Sequence, residues 1–263
     1  MLKAENVTYV YEDKTVALRD VNIDLTKGKK IGIVGSNGSG KSTLFMILLG
    51  LLKPTIGRVI FNENDLKYDK NTLTRLRKNA GIVFQDPDKQ IFFSTVFDDV
   101  AFALRNLKFD EKEVKKRVND AMEKTNISKL QNKPVHFLSY GQKKNVSIAC
   151  IIAMDHKLMF FDEPTAGLDY KSKENVKNIL EDIAVTEGKT IVVSSHDMNF
   201  IYETCDYIYV LNKGHVLSEG KKETIFLDKE ILDKAELEEP FLVKVHKYLG
   251  KPLFKNENEL FMK

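Results

Sequence analysis

Two cysteines, Cys150 and Cys205, in 263 residues are too few for a disulfide framework, and they show no C-x-x-C spacing. The expectation is two packed thiols in a protein of a reducing compartment. Long apolar runs are missing as well. The most apolar stretches, Phe45 to Leu52 and Ile148 to Met154, fall far short of the ~18–20 residues that a membrane-spanning helix needs, so the chain is expected to form no pore by itself. Its opening residues, MLKAENVTYVYEDK, lack the charged-then-apolar order of a signal peptide, which predicts no export. An excess of one charge is also absent: 41 basic and 38 acidic side chains give a formal net charge of +3. Because Lys and Glu are intermixed, the charge describes a solvated surface and argues against a nucleic-acid partner. There is no internal repeat, no low-complexity tract and no Pro/Gly/Ser linker that would separate two equal domains.

What is present describes a globular chain, 43% hydrophobic and 30% charged. At roughly 100–200 residues per domain, the length suits one large domain, or one domain with an appendage, and buries an ample core. Val7 to Tyr11 and Val21 to Leu25 predict strands of a small sheet, with Tyr9 and Tyr11 on alternate sides, one toward the core and one toward solvent. Lys29 to Val34 predicts a buried strand running into a glycine cluster, and Ser42 to Leu52 an apolar helix behind it. Arg58 to Phe61 and Ala80 to Phe84 read as further strands. Asp110 to Thr125 places Val114, Val118, Ala121, Met122 and Thr125 on one helical face, with Asp110 and Glu113 as a capping arrangement. The stretch from about 87 to 155 is mostly helical in pattern and interrupts a strand–helix alternation, which predicts an inserted helical subdomain.

Beyond it, Leu158 to Phe161, Thr190 to Ser194 and Tyr207 to Leu211 are short apolar runs of the kind found in sheets covered on both faces. The alternation predicts a largely parallel α/β sheet. From Lys221 the chain turns to charged helical material with Ile225, Ile231, Leu232 and Leu237. Pro240 is placed to start a last helix whose Phe241, Val245 and Leu249 share a face before Gly250 closes it. The domain expectation is therefore a main domain over 1–220 and a helical extension over 221–263.

Chemistry concentrates first in Gly35-Ser36-Asn37-Gly38-Ser39-Gly40-Lys41-Ser42-Thr43. This segment fits G-x-x-x-x-G-K-S/T and lies between a strand and a helix, as a phosphate-binding loop must. Glycines let successive backbone N–H groups converge on phosphate oxygens, and the helix amino terminus adds the positive end of its dipole. Lys41 would bridge the β- and γ-phosphates and the Ser42 hydroxyl would hold Mg²⁺. A nucleotide site of this kind also needs an acid at the end of a buried strand. Leu158-Met159-Phe160-Phe161-Asp162-Glu163 supplies it: Asp162 would contact Mg²⁺, directly or through water, and Glu163 would act as general base on the attacking water.

Three further segments bring a resemblance. Leu138-Ser139-Tyr140-Gly141-Gln142 precedes a helical run, Gln85 ends a strand, and His196 follows another. With the phosphate loop and the acid pair, these resemble the ATP-binding cassette (ABC) family in the expected order over residues 1 to about 220. LSYGQ matches the family's LSGGQ signature, Gln85 its Q-loop, Ala166-Gly167-Leu168-Asp169 its D-loop, His196 its switch histidine and Tyr11 the aromatic that stacks on adenine. Two positions depart from the pattern: Tyr140 stands where glycine is commoner, and Asn145 where the family often has arginine. The resemblance implies a P-loop NTPase cassette of α/β class with a mainly parallel core sheet, a small antiparallel β-subdomain, an inserted α-helical subdomain and, here, a helical C-terminal extension. It implies an ATPase using ATP and Mg²⁺, with Ser42, Gln85 and Asp162 toward the metal, and Lys41, Gln85, Glu163 and His196 in catalysis. It also implies a dimer, homodimer or paired with a related chain, in which Ser139, Gly141 and Gln142 of one subunit meet the nucleotide held by the other.

Phe84-Gln85-Asp86-Pro87-Asp88-Lys89-Gln90-Ile91-Phe92 and Asp233-Lys234-Ala235-Glu236-Leu237-Glu238-Glu239-Pro240 with the helix after it are similar to the ATPases of energy-coupling-factor importers, which include cobalt-transport ATPases. That likeness implies two ATPases gripping a transmembrane coupling protein, a separate membrane protein that captures the substrate, and a peripheral place on the cytoplasmic face of the membrane. Gln85 to Phe92 would be the mechanical link. The cargo stays open between cobalt, favoured by the LSYGQKK variant, and nickel or a vitamin. The alternatives are an ATPase of another ABC importer or exporter class, a non-transport ABC ATPase acting on ribosomes or DNA, and a nucleotide-binding module without turnover.

Overall fold

The computed structural model describes residues 2–261. Their backbone divides into two compact units, one holding the chain up to Arg77 and from Val192 onward, the other holding Lys78–Ile191.

The first unit opens with β1 (Leu2–Val10), β2 (Val16–Asp24) and β3 (Lys30–Val34), followed by helix α1 (Lys41–Leu48), β4 (Ile56–Phe61) and β5 (Asn64–Asp65). Helix α2 (Lys70–Asn79) runs up to and across the boundary. Strands β2, β1, β4 and β5 form, in that order, an antiparallel sheet, the small antiparallel sheet expected. β1 and β2 begin earlier than their apolar clusters suggested: Leu2 and Ala4, and Leu18, are also buried, each beside at least one charged residue. β3 is buried along Ile31, Ile33 and Val34. Helix α1 stops at Leu48 rather than Leu52, since Gly50 adopts the left-handed conformation (φ 66°) that ends helices.

The second unit contains β6 (Ala80–Val83), α3 (Val96–Asn106), α4 (Glu111–Lys124), α5 (Tyr140–Ala153), β7 (Leu158–Asp162) and α6 (Tyr170–Glu181), the last continued by a π-helical turn at Asp182–Thr186. β6 and β7 pair in parallel. Helices α3, α4 and α5 pack on one another, and α4 buries Val114, Val118, Ala121 and Met122, with Thr125 buried at its end, as the periodicity predicts. The Asp110 side chain accepts from the Glu113 N–H at 3.3 Å and caps α4. Replacing Asp110 by Ala is expected to cost about 1 kcal/mol of stability, checked by denaturant unfolding. A further strand, β8 (Thr190–Ser194), is buried throughout and carries the boundary between the units.

The first unit resumes with α7 (Met198–Thr204), β9 (Tyr207–Asn212), β10 (His215–Lys221), α8 (Lys222–Leu227), α9 (Lys229–Ala235), α10 (Phe241–Leu249) and α11 (Glu257–Phe261). β9 lies parallel to β3 and forms an antiparallel hairpin with β10. The carboxy-terminal segment is fastened to α7 at several points. Lys222 Nζ donates to the Tyr202 carbonyl at 2.7 Å and Tyr202 Oη to the Phe254 carbonyl at 3.0 Å. The Phe241 N–H donates to Asn199 Oδ1 at 2.6 Å and the Glu257 N–H to Glu203 Oε1 at 3.2 Å.

Two expectations for this segment are corrected. α10 is not the last helix, because α11 follows it. Its inward face is Leu242, Val243 and Val245, whereas Phe241 and Leu249 are 43% and 68% exposed. Phe241 stands on the flank of the inward line, and Leu249 occupies the final turn, where Gly250 (φ 61°) breaks the helix before the side chain finds cover.

Candidate nucleotide-binding site

In the first unit, β3 delivers the chain into the loop Gly35–Gly40, and α1 begins at Lys41. Backbone crowding dictates glycine at two places. A Cβ on Gly35 would lie 2.3 Å from the Leu211 carbonyl oxygen, and one on Gly40 would lie 2.7 Å from that of Ala17. Gly40 also holds φ 103° as it opens α1, a conformation costly to a residue with a side chain. The Lys41 ammonium is folded back over the loop, donating to the carbonyls of Gly35 at 2.8 Å and Ser36 at 3.1 Å. Ser39 Oγ is buried with no hydrogen-bond partner among the described residues. Ser42 is exposed and Thr43 buried.

Tyr11 follows β1 in a turn closed by hydrogen bonds between its backbone and Lys14 and Thr15. Its hydroxyl shares a 2.9 Å hydrogen bond with Thr43 Oγ1, which ties the ring to the phosphate loop. The expected division of Tyr9 and Tyr11 into core and solvent is corrected. Both are half-buried and meet edge to face, with ring centroids 4.9 Å apart. Residues two apart in a strand share a face, so the period of two itself puts the two rings together, and β1 ends at Val10, just before Tyr11. His196 is exposed just beyond β8, and the next residue, Asp197, caps α7 by accepting from the Phe200 N–H at 3.0 Å.

In the second unit, β7 is buried along its length and ends in Asp162, followed by Glu163; each is only 6% exposed. Glu163 adopts φ 46°, a left-handed conformation unusual for a side-chain-bearing residue, and starts a turn in which the Ala166 N–H donates to its carbonyl at 3.2 Å. Such strain persists where surrounding structure enforces it and gathers at functional sites. Asp169 then caps α6 by accepting from the Ser172 N–H at 2.8 Å. Among the described residues no cluster of three His, Cys, Asp or Glu side chains could hold a metal ion. A single buried carboxylate such as Asp162 at the end of β7 suits Mg²⁺, which takes most of its ligands from phosphate oxygens and water and only one or two from protein.

Gln85 is exposed just past β6. Ser139 caps α5 in a reciprocal box: its N–H donates to Gln142 Oε1 at 3.1 Å and its hydroxyl accepts from the Gln142 N–H at 3.3 Å. The side chains of Ser139 and Gln142 thus shape the helix start, whose first-turn N–H groups have no intrahelical acceptors. A Cβ on Gly141 would meet Ser172 Oγ at 3.4 Å, an ordinary contact, so local packing does not demand glycine there.

One residue escaped the sequence reading. Lys144 of α5 is fully buried, and its ammonium donates to the carbonyls of Gln85 at 2.5 Å and Phe84 at 3.2 Å. Burial pushes its pKa down to about 8 against the pull of Asp162, Asp86 and Glu163. The signal was available: Lys144 continues the Ile148–Ile152 row of α5 by one i−4 step, which puts a charge on an apolar line.

The chain is similar to known proteins along most of its length. The model of the ABC transporter family matches residues 18–166, a stretch that holds the phosphate loop, Gln85, the signature and the acid pair. An ABC transporter ATP-binding protein of Listeria monocytogenes serotype 4b is 51% identical over 261 residues, 99% of this chain and 97% of its own. The energy-coupling factor transporter ATP-binding protein EcfA2 of Clostridium perfringens is 40% identical over 91% of this chain and 84% of its own. The cobalt import ATP-binding protein CbiO of Salmonella paratyphi A is 41% identical over 99% and 96%. Among solved structures, cbiO1 from Clostridium perfringens, part of the ABC transporter complex cbiONQ, superposes with a TM-score of 0.79 at 36% identity over 100% of this chain and 98% of that one. A dimeric ATP-binding cassette in a post-hydrolysis state bound to ADP and Pi superposes with a TM-score of 0.77 at 32% identity, covering 84% of this chain and 99% of that one. A family model that spans more than half of the sequence, and relatives matched along nearly all of it, place the conclusion beyond the motifs alone: this chain belongs to the ABC transporter family.

Proposed function

We propose that the chain is the ATP-binding and hydrolysing subunit of an energy-coupling-factor type importer, working as a dimer on the cytoplasmic face of a membrane. The observation that carries the reading is the phosphate loop, with the Lys41 ammonium held over it by the loop's own carbonyls. Arriving phosphate oxygens offer that ammonium a stronger, charge-assisted partner than neutral carbonyls. Asn37, Gly38 and Ser39 contribute backbone N–H groups around the phosphates, and Tyr11 lays its half-buried ring against the adenine. Ser42, Gln85 and Asp162 hold Mg²⁺, whose charge neutralises the phosphates. Glu163 takes the proton from the attacking water, and His196 steadies the γ-phosphate. Ser139, Gly141 and Gln142 close over the nucleotide of a second subunit, identical or related. The γ-phosphate attracts the amino terminus of α5 across a dry interface, and hydrolysis removes that bridge. ATP-driven closure and hydrolysis-driven opening then give a power stroke.

The membrane partners are a transmembrane coupling protein, met by Gln85 to Phe92, and a substrate-capture protein. Among the described residues no helix is long and apolar enough to cross a membrane, which supports assigning the span to those partners. The relatives named for cobalt import support cobalt ahead of nickel or a vitamin as the cargo. Residues 1–220 form the cassette in this reading, and 221–263 the extension that marks its branch. Specific ATPase activity measured against protein concentration tests the dimer: it is expected to rise as subunits associate, and a specific activity independent of concentration down to the monomer refutes the shared site.

A further inference from the structure

The loop after β6 is fastened to a single face of α5. Tyr140 Oη donates to the Gln85 carbonyl at 3.0 Å, and Lys144 Nζ donates to the same oxygen at 2.5 Å and to the Phe84 carbonyl at 3.2 Å. Lys143 Nζ pairs with Asp88 Oδ1 at 2.6 Å. Gln90 closes the loop on itself and on the helix: its Oε1 accepts from the Phe84 N–H at 3.2 Å, and its Nε2 reaches the Ser147 carbonyl at 3.4 Å. Positions 140, 143, 144 and 147 stand at i, i+3, i+4 and i+7, so these anchors line one side of the helix.

The two donors on Gln85 matter most. A carbonyl oxygen has two acceptor sites, and here side chains from the first two turns of α5 supply two donors, which fixes the orientation of the peptide leaving Gln85. Lys144 is fully buried, and a buried ammonium is tolerated only while its hydrogen bonds are made, so the position of both carbonyls is enforced. The Tyr140 ring also passes close over Gly167: a Cβ there would lie 3.2 Å from its Cε1, and Gly167 adopts φ 73°. The tyrosine that stands where the family commonly has glycine thus reaches both the Gln85 backbone and the turn after Glu163.

We propose that Tyr140 and Lys144 are positioning residues for Gln85, pinning its peptide to the signature helix so that loop and helix move as one body during the ATP cycle. This rests on the functional reading above for the role of Gln85. Two measurements on the full-length chain separate the ideas. Without nucleotide, hydrogen–deuterium exchange of residues 84–90 is expected to accelerate about 3- to 10-fold in Tyr140→Phe, the loss of one ordinary hydrogen bond, with the melting temperature nearly unchanged. In turnover, the same variant is expected to lose kcat by about 3- to 10-fold while KM for ATP stays within about twofold, because nucleotide capture by loop 35–43 is untouched. In a Lys144→Met background the Tyr140→Phe effect is expected to shrink below about twofold, since both act on one carbonyl. Unchanged exchange over 84–90 in Tyr140→Phe overturns the proposal, and so does full additivity in the double variant. If Lys144→Met is not recovered folded, the exchange of Tyr140→Phe decides alone. A parent chain without ATP turnover whose 84–90 segment still loosens in Tyr140→Phe refutes the functional reading and supports the pinning.

Discussion

Glu163→Gln is expected to bind ATP within about twofold of the parent while its turnover falls by about 10²–10⁴-fold, the usual contribution of a positioned general base. The substitution is nearly isosteric, and the amide keeps one acceptor oxygen. It therefore satisfies the same buried pocket and the same left-handed backbone (φ 46°) without being able to take a proton from water. With hydrolysis blocked and the γ-phosphate retained, the subunits are expected to accumulate as a closed dimer in ATP. Single-turnover ATPase kinetics and size-exclusion chromatography with and without ATP read both effects. Turnover at the parent rate would show that the proton leaves by another route and would remove Glu163 from the role of base.

The second large effect is expected for Lys41→Ala. The ammonium is 8% exposed and bound to two loop carbonyls, so it is already partly desolvated before nucleotide arrives. Exchanging neutral carbonyls for phosphate oxygens strengthens its hydrogen bonds, and losing a charged hydrogen bond costs about 1.5–3 kcal/mol, or roughly 10- to 150-fold in ATP affinity. Titration with a fluorescent ATP analogue measures the loss. A parallel melting series separates it from misfolding, because ATP should raise the melting temperature of the parent and leave that of the variant nearly unmoved. Normal ATP affinity in the variant would contradict the assignment of the loop.

The parts of the site that the sequence made legible are those in which residue type and spacing are themselves the mechanism. Gly35 and Gly40 leave room for backbone approach, Lys41 folds back over the loop, and Asp162 and Glu163 end an apolar strand. Where pattern carried no signal, elements were missed. β10 buries none of its residues, so no apolar alternation marks it, and α2 buries only Leu76. Where two patterns compete, spacing by fours on α10 selects Phe241, Val245 and Leu249, of which Val245 is buried, while the packed line runs through Leu242, Val243 and Val245. Lys144 is less legible for a different reason: lysine in a charged stretch ordinarily reads as solvent-facing, which outweighs its place on the Ile148–Ile152 row, and its partners are two main-chain carbonyls distant in sequence.

Helix α7 has seven residues, too few to persist in water on its own. Hydrogen bonds from Phe241, Glu257 and Lys222 and to Phe254 lend it the stability that its length denies. Thermodynamically, then, the segment after His196 and residues 222–257 are expected to behave as one cooperative unit, and amide exchange at α7 is expected to report on the integrity of that segment.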